Sequence, residues 1–126
     1  MCTLIVFHHC FADAEFVIAA NRDEYLDRPA EPPALRSWHG RTVLAPRDAR
    51  AGGTWLGIND AGVFAGLTNR PSSSPDAARR SRGLLVGDAL AASSAAEAAA
   101  RLAQLPARSY NPFNLLVCDA QDAFVV

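Results

Sequence analysis

The chain has 126 residues, half of them hydrophobic and a fifth charged, which suits one globular domain at most. Its formal net charge is −1, and all twelve strong bases are arginine, so no basic footprint for nucleic acid is present. Three cysteines (Cys2, Cys10 and Cys118) form neither an even disulfide set nor a paired zinc spacing, which favours a reducing, cytoplasmic setting; the arginine and alanine bias reads as that of a GC-rich bacterial genome.

Thr3 to Phe7 is an apolar, β-rich run and reads as a buried strand. It stops at His8-His9, too short for a signal peptide or a membrane span. Ala12-Asp13-Ala14 makes a turn, and Glu15 to Ala20 returns as a second strand, so the chain begins with a hairpin. A loop follows from Asn21 to Pro29. Four prolines (Pro29, Pro32, Pro33 and Pro46) predict that residues 29 to 46 are mostly irregular.

Gly52 to Ile58 enters another strand, Asn59-Asp60-Ala61-Gly62 is a hairpin turn, and Val63 to Leu67 is the partner strand. Ser72 to Ser81 is a polar loop whose arginines (Arg79, Arg80 and Arg82) read as a solvated surface in preference to an anion site. Ser81 predicts a cap for a helix over Arg82 to Ala92, and Ser94 with Glu97 a capping box for a second, alanine-rich helix. Phe113 to Cys118 is a strand, Asp119 to Asp122 a turn, and Ala123 to Val126 the start of a further strand that stops without a polar tail. The order is α+β, with helices layered on a sheet. The abrupt apolar ending predicts the N-terminal part of a longer domain.

Cys2 stands directly behind Met1. Aminopeptidases remove Met before a small residue, so the mature chain would begin with cysteine. One residue would then carry a thiol nucleophile and an α-amine, a base of pKa roughly 8. Such a nucleophile needs a carboxylate to orient its amine and donors for the oxyanion of the attacked carbonyl. Asp23 is the candidate carboxylate, because equal antiparallel arms bring Cys2 and the loop at Asn21 to Glu24 together; it reads equally as a turn cap. Asn69, at a strand end, is the candidate oxyanion donor or an ordinary turn asparagine. Arg22 either meets a substrate carboxylate or thiolate or pairs with Glu24 or Asp27. Gly52-Gly53 either admits a ligand to the backbone or makes a strand-entry turn, and Trp55 fits the core better than a pocket wall. His8-His9-Cys10 is a weaker rival, since adjacent strand histidines face opposite sides and only two metal ligands share one.

Taken together, Met1-Cys2-Thr3-Leu4-Ile5, Ala19-Ala20-Asn21-Arg22-Asp23-Glu24, Gly52-Gly53-Thr54-Trp55-Leu56-Gly57-Ile58, Ala65-Gly66-Leu67-Thr68-Asn69, Ser81-Arg82-Gly83-Leu84-Leu85 and Asn111-Pro112-Phe113-Asn114-Leu115 resemble the NRDE-domain family, also called the transport and Golgi organisation family. That family is similar in turn to N-terminal-nucleophile hydrolases of the choloylglycine hydrolase group. The resemblance implies a four-layer αββα sandwich, of which this chain would hold an incomplete part. It implies Cys2, Asp23 and Asn69 as catalytic residues; Arg22, Trp55 and Thr68 are the candidate substrate contacts, and no metal and no resident cofactor are expected. Thr68 shifts the Asn69 spacing by one residue, and Ala20 replaces the arginine those hydrolases carry before the asparagine. Two functions follow from the resemblance. One is a cysteine amidohydrolase acting on a linear C–N bond of a small molecule. The other is a non-catalytic carrier of haem or an acyl ligand, with His8, His9 or Cys2 as an iron ligand.

Overall fold

The computed structural model describes residues 2–106 and 108–126. Strands β1 (Thr3–Phe11) and β2 (Ala14–Asn21) pair as a two-stranded antiparallel hairpin. Strands β3 (Ala30–Trp38), β4 (Arg41–Asp48), β5 (Leu56–Asn59), β6 (Phe64–Asn69), β7 (Phe113–Cys118) and β8 (Ala123–Val125) lie side by side in chain order as an antiparallel sheet. Helices α1 (Arg82–Ala89) and α2 (Ala95–Ala103) fall between β6 and β7. The α+β order expected from the sequence is therefore present, with two sheets and two helices. No helix among the described residues is long and apolar enough to cross a membrane.

Alternation along the strands makes the layers. Val43, Ala45, Ala65, Leu115 and Val117 face one way and bury against Leu85, Val86, Leu90, Ala98 and Leu102 of the helical segment. Phe64, Leu116 and Cys118 face the other way and meet Leu4, Val6, Phe16 and Ile18 of the hairpin. The stack is thus helices, six-stranded sheet, hairpin. The hairpin's outer face carries Ile5, Phe7 and Val17, all exposed.

The proline-rich stretch departs from expectation. Residues 30–48 form β3 and β4 rather than irregular chain. β3 is an edge strand, and its register with β4 shifts between Glu31 and Ala34, where Pro32 and Pro33 sit. Pro46 lies beyond the short stretch of β4 that pairs with β5. Each proline therefore occupies a place where a missing N–H costs no ladder bond, at an edge or a bulge. Strand β5 begins only at Leu56, so Gly52 to Trp55 is loop. Helix α1 is shorter than predicted, ending at Ala89 with Leu90 as its cap. β8 pairs with β7 at the sheet's far edge.

The β5–β6 turn is the pivot between sheet and helices. Gly62 adopts φ +80°, the left-handed conformation that only glycine takes at little cost. Asn59 is buried beneath it. Its Oδ1 accepts from Ala61 and Val63 N–H, and its Nδ2 donates to the carbonyls of Leu90 and Ala92 at 2.8 and 2.7 Å. One amide thus closes the turn and satisfies the carbonyls left open at the end of α1.

Candidate functional site

The ends of several elements converge on one cleft of about 530 Å³. Cys2, the loop after β2, the end of β4, the Gly53–Trp55 loop, the end of β6 and the start of α1 all line it. Register explains the meeting. Thr3 is opposite Asn21 in the hairpin, so the residues on either side, Cys2 and Arg22 to Glu24, leave the sheet together. The Cys2 thiol, half-buried, lies 3.8 Å from the backbone carbonyl oxygen of Asp23, to which it donates.

Asp23 is held by more than one group. The chain's amino terminus draws its carboxyl below the ordinary carboxylate range, and Asn21 Nδ2, donating to Asp23 Oδ1 at 2.6 Å, adds to the effect. A carboxylate at this point is therefore kept ionised beside the amino-terminal end of the chain.

Arg22 stacks on Trp55, its guanidinium carbon 4.3 Å from the ring centroid, and pairs with Glu24 at 3.5 Å. The ion pair weighed from the sequence is present, and the stacking is an addition. Trp55 departs from the core assignment: it is only half-buried, belongs to neither core cluster and forms part of the cleft wall. Asn69 ends β6 and lines the cleft with Leu67, while Thr68 pairs with Asn114 across the β6–β7 ladder, its Oγ1 accepting from Asn114 Nδ2 at 3.3 Å. Thr68 points away from its two neighbours, as strand alternation requires.

Gly53 serves chain packing. A Cβ there would stand 2.4 Å from the Gly83 carbonyl carbon, and Thr54 N–H donates to Gly83 O at 3.1 Å. The two glycines let the loop seat directly on the start of α1. The floor beside them is built by Asp48, buried, which accepts from Arg28 at 2.6 Å and from the N–H groups of Arg50 and Ala51.

His8 and His9 lie outside this cleft. His9 adopts φ +53° within a register shift of β1, so the alternation expected for adjacent histidines fails and the two rings meet edge to face at 4.2 Å. His8 Nε2 contacts Asp119 O at 2.9 Å and His9 Nδ1 lies 3.7 Å from Glu15. Among the described residues no group of three or more His, Cys, Asp or Glu side chains could hold a metal ion. Cys118 is buried in the sheet, where desolvation and the neighbouring Asp119 charge push its thiol up to about 11, so it is no rival to Cys2 as a nucleophile.

Of the loop arginines expected as a solvated run, Arg80 is exposed, while Arg79 and Arg82 are half-buried, and all three are engaged by the fold. Arg79 donates to Tyr110 O at 2.9 Å and pairs with Asp76; Arg80 pairs with Asp88 and contacts the Tyr110 hydroxyl; Arg82 donates to Pro112 O at 2.9 Å. Asn111 clamps the loop, exchanging hydrogen bonds with Asp76 N–H and C=O at 2.9 and 2.8 Å. Nothing in the local sequence marks this wall except the Asn111-Pro112 pair entering β7.

Comparison with known proteins bears on what this cleft belongs to. The chain is 34% identical over 110 residues to a Transport and Golgi organization 2 homolog of Mus musculus, covering 82% of this chain and 38% of that protein. It is 33% identical over 112 residues to a Transport and Golgi organization protein 2 homolog of Homo sapiens, covering 85% and 40%, and 36% identical over 107 residues to the Bos taurus protein of that name. The chain thus spans about two fifths of the length of these curated relatives. The family model described as Transport and Golgi organisation 2 matches residues 1–126, and the chain belongs to that family.

Proposed function

We propose that this chain carries the nucleophile of a cysteine N-terminal-nucleophile hydrolase that cleaves a linear amide, on a sandwich of the αββα type. The observation that supports this most is the contact of the Cys2 thiol with the Asp23 backbone carbonyl, beside a cleft that Cys2, Asn69, Arg22 and Trp55 line. The stack of helices, six-stranded sheet and hairpin is consistent with three layers of such a sandwich.

In this reading Met1 is removed and the α-amine passes to Cys2. The sulfur attacks the amide carbonyl carbon, and the α-amine takes the thiol proton and delivers it to the leaving nitrogen as the C–N bond breaks. Asp23 orients the amine. Asn69 Nδ2, with a backbone N–H, faces the oxyanion of the tetrahedral intermediate. Water then attacks the thioester, releasing a carboxylic acid and restoring the thiol. A reducing, cytoplasmic setting would keep the sulfur available.

Cys2→Ala should abolish amide hydrolysis, at least 10³-fold given the loss of a covalent step, while the circular dichroism spectrum stays unchanged. Mass spectrometry should find Met1 absent and an acyl group trapped on Cys2. Full turnover by Cys2→Ala, or a retained Met1 in active protein, would overturn the mechanism. A haem Soret band that survives loss of Cys2 would move the assignment to a carrier.

A further inference from the structure

The cleft's charge is opposite to that of the chain. Six arginines and three carboxylates line it, in a protein whose formal net charge is −1. The carboxylates are already engaged: Asp48 by Arg28, Glu24 by Arg22 and Arg28, Asp76 by Arg79. Arg80 pairs with Asp88. Two lining arginines, Arg50 and Arg82, meet no carboxylate among the described residues.

Arg82 is the telling one. Arg50 is exposed, whereas Arg82 is half-buried. Its guanidinium has five N–H donors in a planar fork, and its hydrogen bond among the described residues is the one to Pro112 O. Burial first, and the nearby Arg28 charge second, lower its affinity for its own proton. A guanidinium keeps its charge regardless, so the chain bears the cost of a partly desolvated cation beside a like charge. Arg82 is also the first residue of α1, whose Ser81 makes no side-chain cap, so the helix's open N–H end adds positive potential on the same wall. Such an arrangement is stabilised by an anion that supplies the missing counter-charge.

We propose that Arg82 holds an oxyanion of the ligand, a carboxylate or a phosphate, so that the molecule processed at Cys2 is an anionic amide. The inference rests on this cleft being the substrate site, and it names what that substrate must carry. An acidic group seated on the Arg82 fork would fix one end of the molecule while the amide lies towards Cys2. A neutral amide would leave Arg82 without its counter-charge and bind more weakly.

Alkylation of Cys2 tests this without any turnover, so its outcome is separate from that of the hydrolase reading. Iodoacetate and iodoacetamide differ in charge and share the same displacement of iodide by sulfur. Site-resolved mass spectrometry gives the rate at Cys2 for each reagent, with exposed Cys10 as an internal reference. The iodoacetate-to-iodoacetamide ratio should be higher at Cys2 than at Cys10, and Arg82→Gln should lower it about fivefold through loss of local potential, the ratio cancelling any change in thiolate fraction that both reagents share. Arg50→Gln should change it far less. In the unsubstituted protein, acetate and inorganic phosphate should each be tried as competitors: selective slowing of the iodoacetate rate by acetate assigns a carboxylate, and by phosphate a phosphoryl group. A Cys2 ratio equal to that of Cys10, insensitive to both anions and to Arg82→Gln, would overturn the proposal, whether or not the protein hydrolyses amides.

Discussion

The two faces of the six-stranded sheet have been put to different uses. Among the described residues, thirteen buried on the helix side form one cluster, from Val43 on β4 to Val117 on β7; on the hairpin side three do, Phe64, Leu116 and Cys118, with half-buried partners around them. The helix side therefore holds the larger share of the fully buried apolar side chains, and stabilisation follows apolar area removed from water. The hairpin side leaves its outer strands half-open and its ends free to build a cleft. The nucleophile candidate sits at the less tightly packed layer, and the charged wall opposite it stands on the tightly packed one. The larger core and the candidate nucleophile thus lie on opposite faces of a single sheet.

Leu115→Ala and Phe16→Ala break this comparison most directly. Leu115 is fully buried on the helix side, and its truncation should cost about 3 kcal/mol, the usual penalty for a cavity that neighbours cannot fill. Phe16 is larger but only half-buried against Phe64, and should cost about 1.5 kcal/mol, in keeping with partial burial. Urea unfolding of the two variants gives the order. If Phe16→Ala proves the more damaging, the hairpin is an equal partner in the core and the separation fails.

Asp48 tests the seam between the two regions, because it ties the end of β4 to the cleft loop. Burial would raise its pKa from the ordinary 3.8; the Arg28 bond and the N–H groups of Ala51 and Arg50 outweigh burial and hold it lower. A folded-state value below the unfolded one means that the contribution is complete above about pH 4 and is lost as the pH falls through the folded value. Asp48→Asn should therefore cost about 2 kcal/mol at pH 7, the usual loss for a charged hydrogen bond to a buried partner. The gap between wild type and variant should narrow only below about pH 4 in unfolding experiments run across that range. A gap that stays constant into acid would show that the turn, and not the carboxylate charge, holds the loop.

The same division governs what was legible in the sequence. The hairpin meeting of Cys2 and Asp23 follows from strand spacing alone, and the second helix from Ser94 and Glu97, because both are local. What escaped is long-range or depends on an edge. Pro32 and Pro33 read as strand breakers, yet an edge strand with a bulge accommodates them. His9 reads as one step of an alternating strand, yet its positive φ turns it onto His8. Asn59 reads as a turn residue, and nothing nearby in sequence announces its bonds to Leu90 and Ala92 some thirty positions away. Arg82 reads as one of a polar run, and only its place at the start of α1, near Arg28 and with no acid paired to it among the described residues, sets it apart.

The smallest expected effect separates two serines that look alike in sequence. Ser94 precedes α2 and its side chain accepts from Glu97 N–H at 3.1 Å, while Glu97 reaches back to Ser93 N–H at 2.7 Å. Ser81 precedes α1 in the same position and makes no side-chain cap. Ser94→Ala should therefore cost about 1 kcal/mol, the common value for a lost cap, and Ser81→Ala nearly nothing, both read from thermal unfolding. Ser81 lies on the cleft wall and Ser94 does not. An end of a helix left uncapped where it meets a cleft keeps its N–H donors for what enters, whereas α2 spends its serine on its own first turn. Equal costs for the two serines would mean that α1 is capped in solution and its end is closed to ligands.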